Sequence, residues 1–175
     1  MTKYVPIMPD LGHEPPKNTR ISLAFCDVLK ALKAFTIAER DLEDIAHSQD
    51  PAYSMWAADT ERAFEHLADA LGKVHCLPLE ICEDIPLKRM TLLIDTMIGH
   101  EEPGGARALQ FEMQLMFFTK LQAAGLSPTA IHRNGLLIHG RHLVNAMLCL
   151  PLFDGAPVDD ASSGDCATDK LTFDF

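Results

Sequence analysis

The chain has 175 residues, enough for one domain with a real core, and its apolar fraction of 47% is ordinary for a globular protein. A formal net charge of −10 argues against generic affinity for nucleic acid, because phosphate binding needs a basic footprint. Ala and Leu dominate the apolar set while only 7% of residues are aromatic, a balance that favours helices over strands.

The N-terminal stretch MTKYVPIMPDLGHEPPKNTR has no long apolar core, so it is not read as a signal peptide. Pro6, Pro9, Pro15 and Pro16 prevent a helix there, and residues 1–18 are expected to form an extended arm. Asn18 or Thr19 then offers an N-cap for a first helix running to about His47, with Ile21, Phe25, Val28, Leu29, Leu32 and Phe35 at helical spacing. The segment SQDP stops it. Pro51 suits the first turn of a second helix reaching Val74, with Trp56, Ala63, Phe64, Leu67, Leu71 and Val74 on one face. His66 falls on the opposite, charged face and is expected to meet solvent, as are Glu61 and Glu65 towards its flank.

In CLPLEICEDIP the prolines allow a short helical turn at Leu79–Glu83, then a third helix from Pro86 to about Ile98, with Asp84 as its candidate cap. After GHEEPGG comes a fourth helix, Ala106 to Ala124, in which Leu109, Phe111, Met113, Leu115, Met116, Phe117, Phe118 and Leu121 go most of the way round the cylinder. A helix that is apolar all round is central in its fold or shared with another subunit, so Phe111, Leu115, Met116, Phe117 and Phe118 are the candidate interface. Ser127 caps a fifth helix, with Pro128 in its first turn, that reaches Leu150 before Pro151. Residues 154–175, rich in Asp, Ser and Gly, read as an acidic, disordered tail whose end, KLTFDF, has the character of a short docking segment. The implied architecture is an all-α bundle of about five main helices with short connections, spanning 19–153.

Charge is unevenly spread. Glu39 to Asp69 holds nine acids and two Arg; Pro103 to Phe153 holds four Lys/Arg, one acid and three His; the tail holds six Asp and one Lys. Such a pattern suits self-association or recruitment of a partner with a basic surface. The cysteines (26, 76, 82, 149 and 166) are odd in number, scattered and without a CxxC, which points to reduced thiols in a cytoplasmic protein. No apolar run approaches the ~20 residues of a membrane span.

Motifs of catalysis are missing: GxxxxGK[ST], GxGxxG, HExxH and GxSxG do not occur. Di-iron bundles use Glu-x-x-His twice, and the nearest approach, Asp44 and His47 in DIAH, occurs once. The segment LQAAGLSPTAIHRNG has the outline of a helix-turn-helix, but LLIHGRHLVNAMLCLP after it is too apolar for an exposed recognition helix.

The run IHRNGLLIHGRHLVNAM places three histidines on one helix. With His132 at 0° and about 100° per residue, His139 falls near −20° and His142 near −80°. Asn134, Arg141 and Asn145 fall near 180–220°, about the opposite side. The histidines are therefore expected on the apolar side, with Gly135 and Ala146 leaving room beside them for a helix or a ligand. His132 and His139 stand roughly 10.5 Å apart along the axis and cannot share one ion with ~2 Å bonds. Only His139 and His142 could chelate together, with Glu112 or Cys149 as further ligands, and a single histidine could instead ligate a haem. No cofactor is required by the sequence. The functional expectation is a non-catalytic, cytoplasmic bundle, a homodimer, acting through protein–protein interaction in a regulatory or adaptor role. A ligand, haem or metal sensor with a pocket beside His132, Gly135, His139 and His142 is the alternative. An acidic inhibitor of a nucleic-acid-binding protein is a lesser one.

Overall fold

A computed structural model describes residues 15–44, 53–100, 102 and 104–153. Among them are five α-helices and no strand: α1 (Arg20–Asp44), α2 (Tyr53–Cys76), α3 (Ile85–Ile98), α4 (Gly105–Lys120) and α5 (Pro128–Met147). The all-α bundle expected from composition and periodicity is the observed fold. Most of the N-terminal arm, His47, Glu101 and the whole acidic tail lie outside the described residues.

The start of α1 is settled by side-chain chemistry. Thr19 is the cap, and it forms a reciprocal box with Ser22: the Ser22 N–H donates to Thr19 Oγ1 at 3.1 Å, and the Thr19 N–H donates to Ser22 Oγ at 3.0 Å. Ser22 fills the place usually taken by Glu or Gln. The predicted apolar face of α1 is buried throughout, from Ile21 to Phe35. α1 and α2 form the most extensive pairing. They run antiparallel, with the Thr60 hydroxyl donating to the Ala38 carbonyl at 3.2 Å and Phe35 packed on Phe64 at 5.7 Å between centroids.

Four expected details are corrected. The single turn predicted over Leu79–Glu83 is a 3-10 turn at Cys82–Asp84 that runs into α3. Asp84 occupies the cap position but has helical backbone angles and makes no capping hydrogen bond, because its carboxylate is turned towards α5. α4 stops at Lys120 rather than Ala124: Leu121 and Ala123 are buried, and Asn134 of α5 grips the Ala123 backbone. Gly125, at φ +94°, turns the chain in a conformation that suits glycine. α5 starts where expected, with Ser127 Oγ accepting from the Ala130 N–H at 3.1 Å and Pro128 following. It ends at Met147; Pro151 disfavours helical geometry at Leu150 and leads into a 3-10 turn, Pro151–Phe153.

α3 sits in the middle, touching α1, α2, α4 and α5. α5 lays Leu137, Gly140, Val144 and Met147 against it and α1. At Gly140 the fit is close: a Cβ there would stand 3.3 Å from Leu29 and 3.5 Å from Met90 and Phe25. α4, apolar most of the way round its cylinder, is not central. It packs on α3 and reaches α5 chiefly through side chains, with its far side open.

Candidate functional site

α4 and α5 form an antiparallel hairpin joined by polar contacts. Arg107 donates to the Leu148 carbonyl at 3.4 Å, and the amides of Gln110 and Gln114 both donate to Asn145 Oδ1, at 3.0 and 2.7 Å. Arg141 lays its guanidinium 5.0 Å from the Phe117 ring centroid and 5.7 Å from that of Phe118. These contacts turn one flank of α4 towards α5. Met113 and Phe117 point into the core. Phe111, Leu115 and Phe118, at i, i+4 and i+7, then fall on the side opposite Met113 and are 65%, 67% and 69% exposed.

The predicted interface set is thus divided by the fold. Phe111, Leu115 and Phe118 form an outward apolar stripe. Met116 is half-buried on the α3 side. Phe117 is fully buried under Arg141 and belongs to the core. On the α3 side lies a cleft of about 460 Å³, walled by Leu92, Leu93, Met113, Met116 and Leu121, with Arg89 and Lys120 at its rim. Arg89 Nη1 donates to the Lys120 carbonyl at 3.1 Å, tying α3 to the end of α4.

The histidine face of α5 is corrected in direction. His139 and His142 are exposed and His132 is half-buried. Gly135 is exposed with open space beside it, and Ala146 is half-buried. The stripe of Asn134, Arg141 and Asn145, opposite the expected apolar side, faces inward and meets α4 and the loop before α5. Cys149 and Glu112 are exposed too. Glu112 sits on the flank of α4 away from Asn145, so the proposed ligand set does not converge. Among the described residues no group of three or more His, Cys, Asp or Glu is gathered closely enough to hold a metal ion.

A residue outside the expected site set holds the centre. Arg133, on the inner face of α5, is fully buried, and so is Asp84. Arg133 Nε donates to Asp84 Oδ1 at 2.8 Å. Its Nη2 donates to the Lys17 carbonyl at 2.7 Å and to Thr19 Oγ1 at 3.2 Å, and its Nη1 meets His132 Nδ1 at 2.8 Å. One side chain therefore joins α5, the start of α3 and the cap of α1. Asp84 Oδ2 is buried and has no hydrogen-bond partner among the described residues. Beside it, the Cys82 thiol donates to Glu83 at 3.2 Å, which pushes the thiol pKa up. Glu83 is held below the usual carboxylate range by its own backbone N–H first and that thiol second, with the Arg133 and Lys17 charges adding. Helical register alone places Arg133 on the buried face, at i−3, i+4 and i+7 from Ala130, Leu137 and Gly140, while its charge points to solvent.

The remaining large groove, about 680 Å³ between α1 and α2, has alanines (31, 34, 63 and 70) on its floor and a rim of charges. Several of those charges neutralise one another: Lys30 pairs with Asp27 at 3.1 Å, Lys73 with Asp27 at 4.0 Å, and Arg62 with Asp59. His66 is exposed there, as expected. No helix among the described residues is long and apolar enough to cross a membrane. No protein-family model matches the chain, and no curated protein or solved structure matches it either.

Proposed function

We propose that the protein is a non-catalytic binding module that presents the outer face of α4 to another polypeptide, in a regulatory or adaptor role. The observation that carries this reading is the stripe of Phe111, Leu115 and Phe118 on the side of α4 opposite the core. Two-thirds exposure of three such side chains leaves roughly 400 Å² of apolar surface, at the size where a patch on a monomer marks an interaction site. A rigid helix presenting i, i+4 and i+7 anchors is a common recognition element. A second copy of the chain is the partner to test first, since the stripe can meet itself across a two-fold axis. Two stripes give about 800 Å² in all, below the usual 1,200–2,000 Å² of a stable interface, so such a homodimer would be weak and concentration-dependent. The free thiols at Cys26, Cys76, Cys82 and Cys149 support a cytoplasmic setting.

Light scattering across the micromolar range tests self-association. A photoreactive residue at position 115, irradiated in cells, tests other partners. The expected result is a dimer, or a discrete polypeptide adduct, that Phe111→Ala/Phe118→Ala removes. A protein that stays monomeric and yields no adduct beyond that of a probe at exposed Glu65 overturns the reading.

A further inference from the structure

We infer that the cleft between α3 and α4 is the docking site for a segment of this same chain, residues 170–175, with Phe173 and Phe175 seated between the two helices. This goes beyond the proposed function and uses the opposite flank of α4, so the outward stripe stays free.

The cleft has the makings of a peptide site. Its walls are aliphatic and thioether, from Leu92, Leu93, Met113 and Met116, and Leu92 is 58% exposed. Methionine side chains adapt to aromatic rings and make favourable sulfur–aromatic contacts. The two charges at its rim, Arg89 and Lys120, are both cationic. The occupant it selects is therefore aromatic and acidic.

The chain carries such a segment. Residues 154–175 contain six Asp and one Lys, and the sequence Thr-Phe-Asp-Phe at 172–175 sets Asp174 between two phenylalanines. If the segment runs extended, alternate side chains share one side, so Phe173 and Phe175 point together while Asp174 faces the rim. The rest of the acidic stretch carries a charge opposite to that of the four Lys/Arg and single Glu of Pro103–Phe153.

The connection is long enough. Phe153 is the last described residue, and the Arg107 bond to the Leu148 carbonyl places the end of α5 beside the start of α4. α4 is about 24 Å long. Twenty residues from Phe153 to Phe173 span about 25 Å as a coil and about 66 Å fully extended. A connection matched to its span gives an effective concentration in the millimolar range. Even a short peptide of weak intrinsic affinity is then held in place.

The test uses the full chain with p-benzoylphenylalanine in place of Phe175. Irradiation is expected to give a product of monomer mass whose cross-link maps to 89–93 or 113–121, and Lys120→Glu is expected to reduce its yield several-fold. A second measurement follows the methionine methyl resonances. Phe173→Ala/Phe175→Ala should move the Met116 methyl downfield, through loss of ring current, and leave the exposed Met55 methyl in place. Both positions follow the last helix of the bundle in sequence, and a thermal melt of the double variant checks that the fold is kept. A cross-link elsewhere, a product of dimer mass, no product, or an unmoved Met116 methyl overturns the proposal. None of those results touches the reading of the outer stripe, which fails or stands on position 115.

Discussion

Arg133→Met removes a buried charge while keeping most of the side-chain volume, and it isolates the energetics of the polar centre. In the folded chain Arg133 and Asp84 are both fully buried and 2.8 Å apart. Removing one partner of such a pair leaves the other charge uncompensated, at a cost of about 3–5 kcal/mol. The carbonyl of Lys17 and the hydroxyl of Thr19 lose their donor in the same step, which loosens the cap of α1. With a urea dependence of about 2 kcal/mol per molar, the unfolding midpoint should fall by about 2 M at unchanged slope. The thermal midpoint should fall on the order of 10 °C for a chain of this size. The double substitution Arg133→Met/Asp84→Leu removes both charges and should recover much of the loss, since a buried pair is often no better than well-packed apolar groups. Urea titration of the wild type, both single variants and the double variant gives the coupling directly. The reasoning is refuted if Arg133→Met stays within about 0.5 kcal/mol of the wild type, the usual range for a surface change such as Lys33→Met.

Three further outcomes are expected. Gly135→Ala, at an exposed helical position with open space around it, should raise stability by about 0.4–1 kcal/mol, whereas Gly140→Val should lower it by about 1–3 kcal/mol by forcing α5 away from Leu29, Met90 and Phe25; thermal melts of the two variants shifting the same way would contradict the packing described. Burial, and then the charge of Glu43, raises the pKa of Glu39, so folded Glu39 keeps its proton to higher pH than the unfolded chain does; its favourable contribution is present at low pH and lost as pH rises through the raised value. Glu39→Gln should therefore stabilise at pH 7 and gain progressively less towards pH 4, while Glu80→Gln, which removes a carboxylate lowered chiefly by the hydrogen bond from Arg20, should do the reverse; urea midpoints at the two pH values check both signs. Because an arginine can only donate, His132 Nδ1 must accept from Arg133 Nη1, which leaves the ring proton on Nε2; ¹⁵N shifts of the ring showing a proton on Nδ1 would sink this.

The outward stripe of α4 shows how a single feature was half legible. Its all-round apolar character marked the helix as unusual, and Phe111, Leu115 and Phe118 do lie open. The spacing could not say which third of the cylinder faced the core, so Phe117 looked equivalent to its neighbours until Arg141 covered it. For α5 the error ran the other way. Its polar stripe lies opposite the expected apolar side, yet α4 supplies amides that satisfy Asn145, and the loop backbone satisfies Asn134.

What the chain determines locally was readable without coordinates. Helical periodicity, Ser127 and Pro128 at the head of α5, the apolar seam of α1 and the absence of catalytic motifs all rest on neighbours within a few residues. What the tertiary structure decided is where polar groups go. Arg133 meets Asp84, Lys17 and Thr19 across 49, 116 and 114 residues, distances at which pattern carries no information. A buried charge is tolerated only where distant segments converge to pair it, and that convergence exists only once the helices have packed.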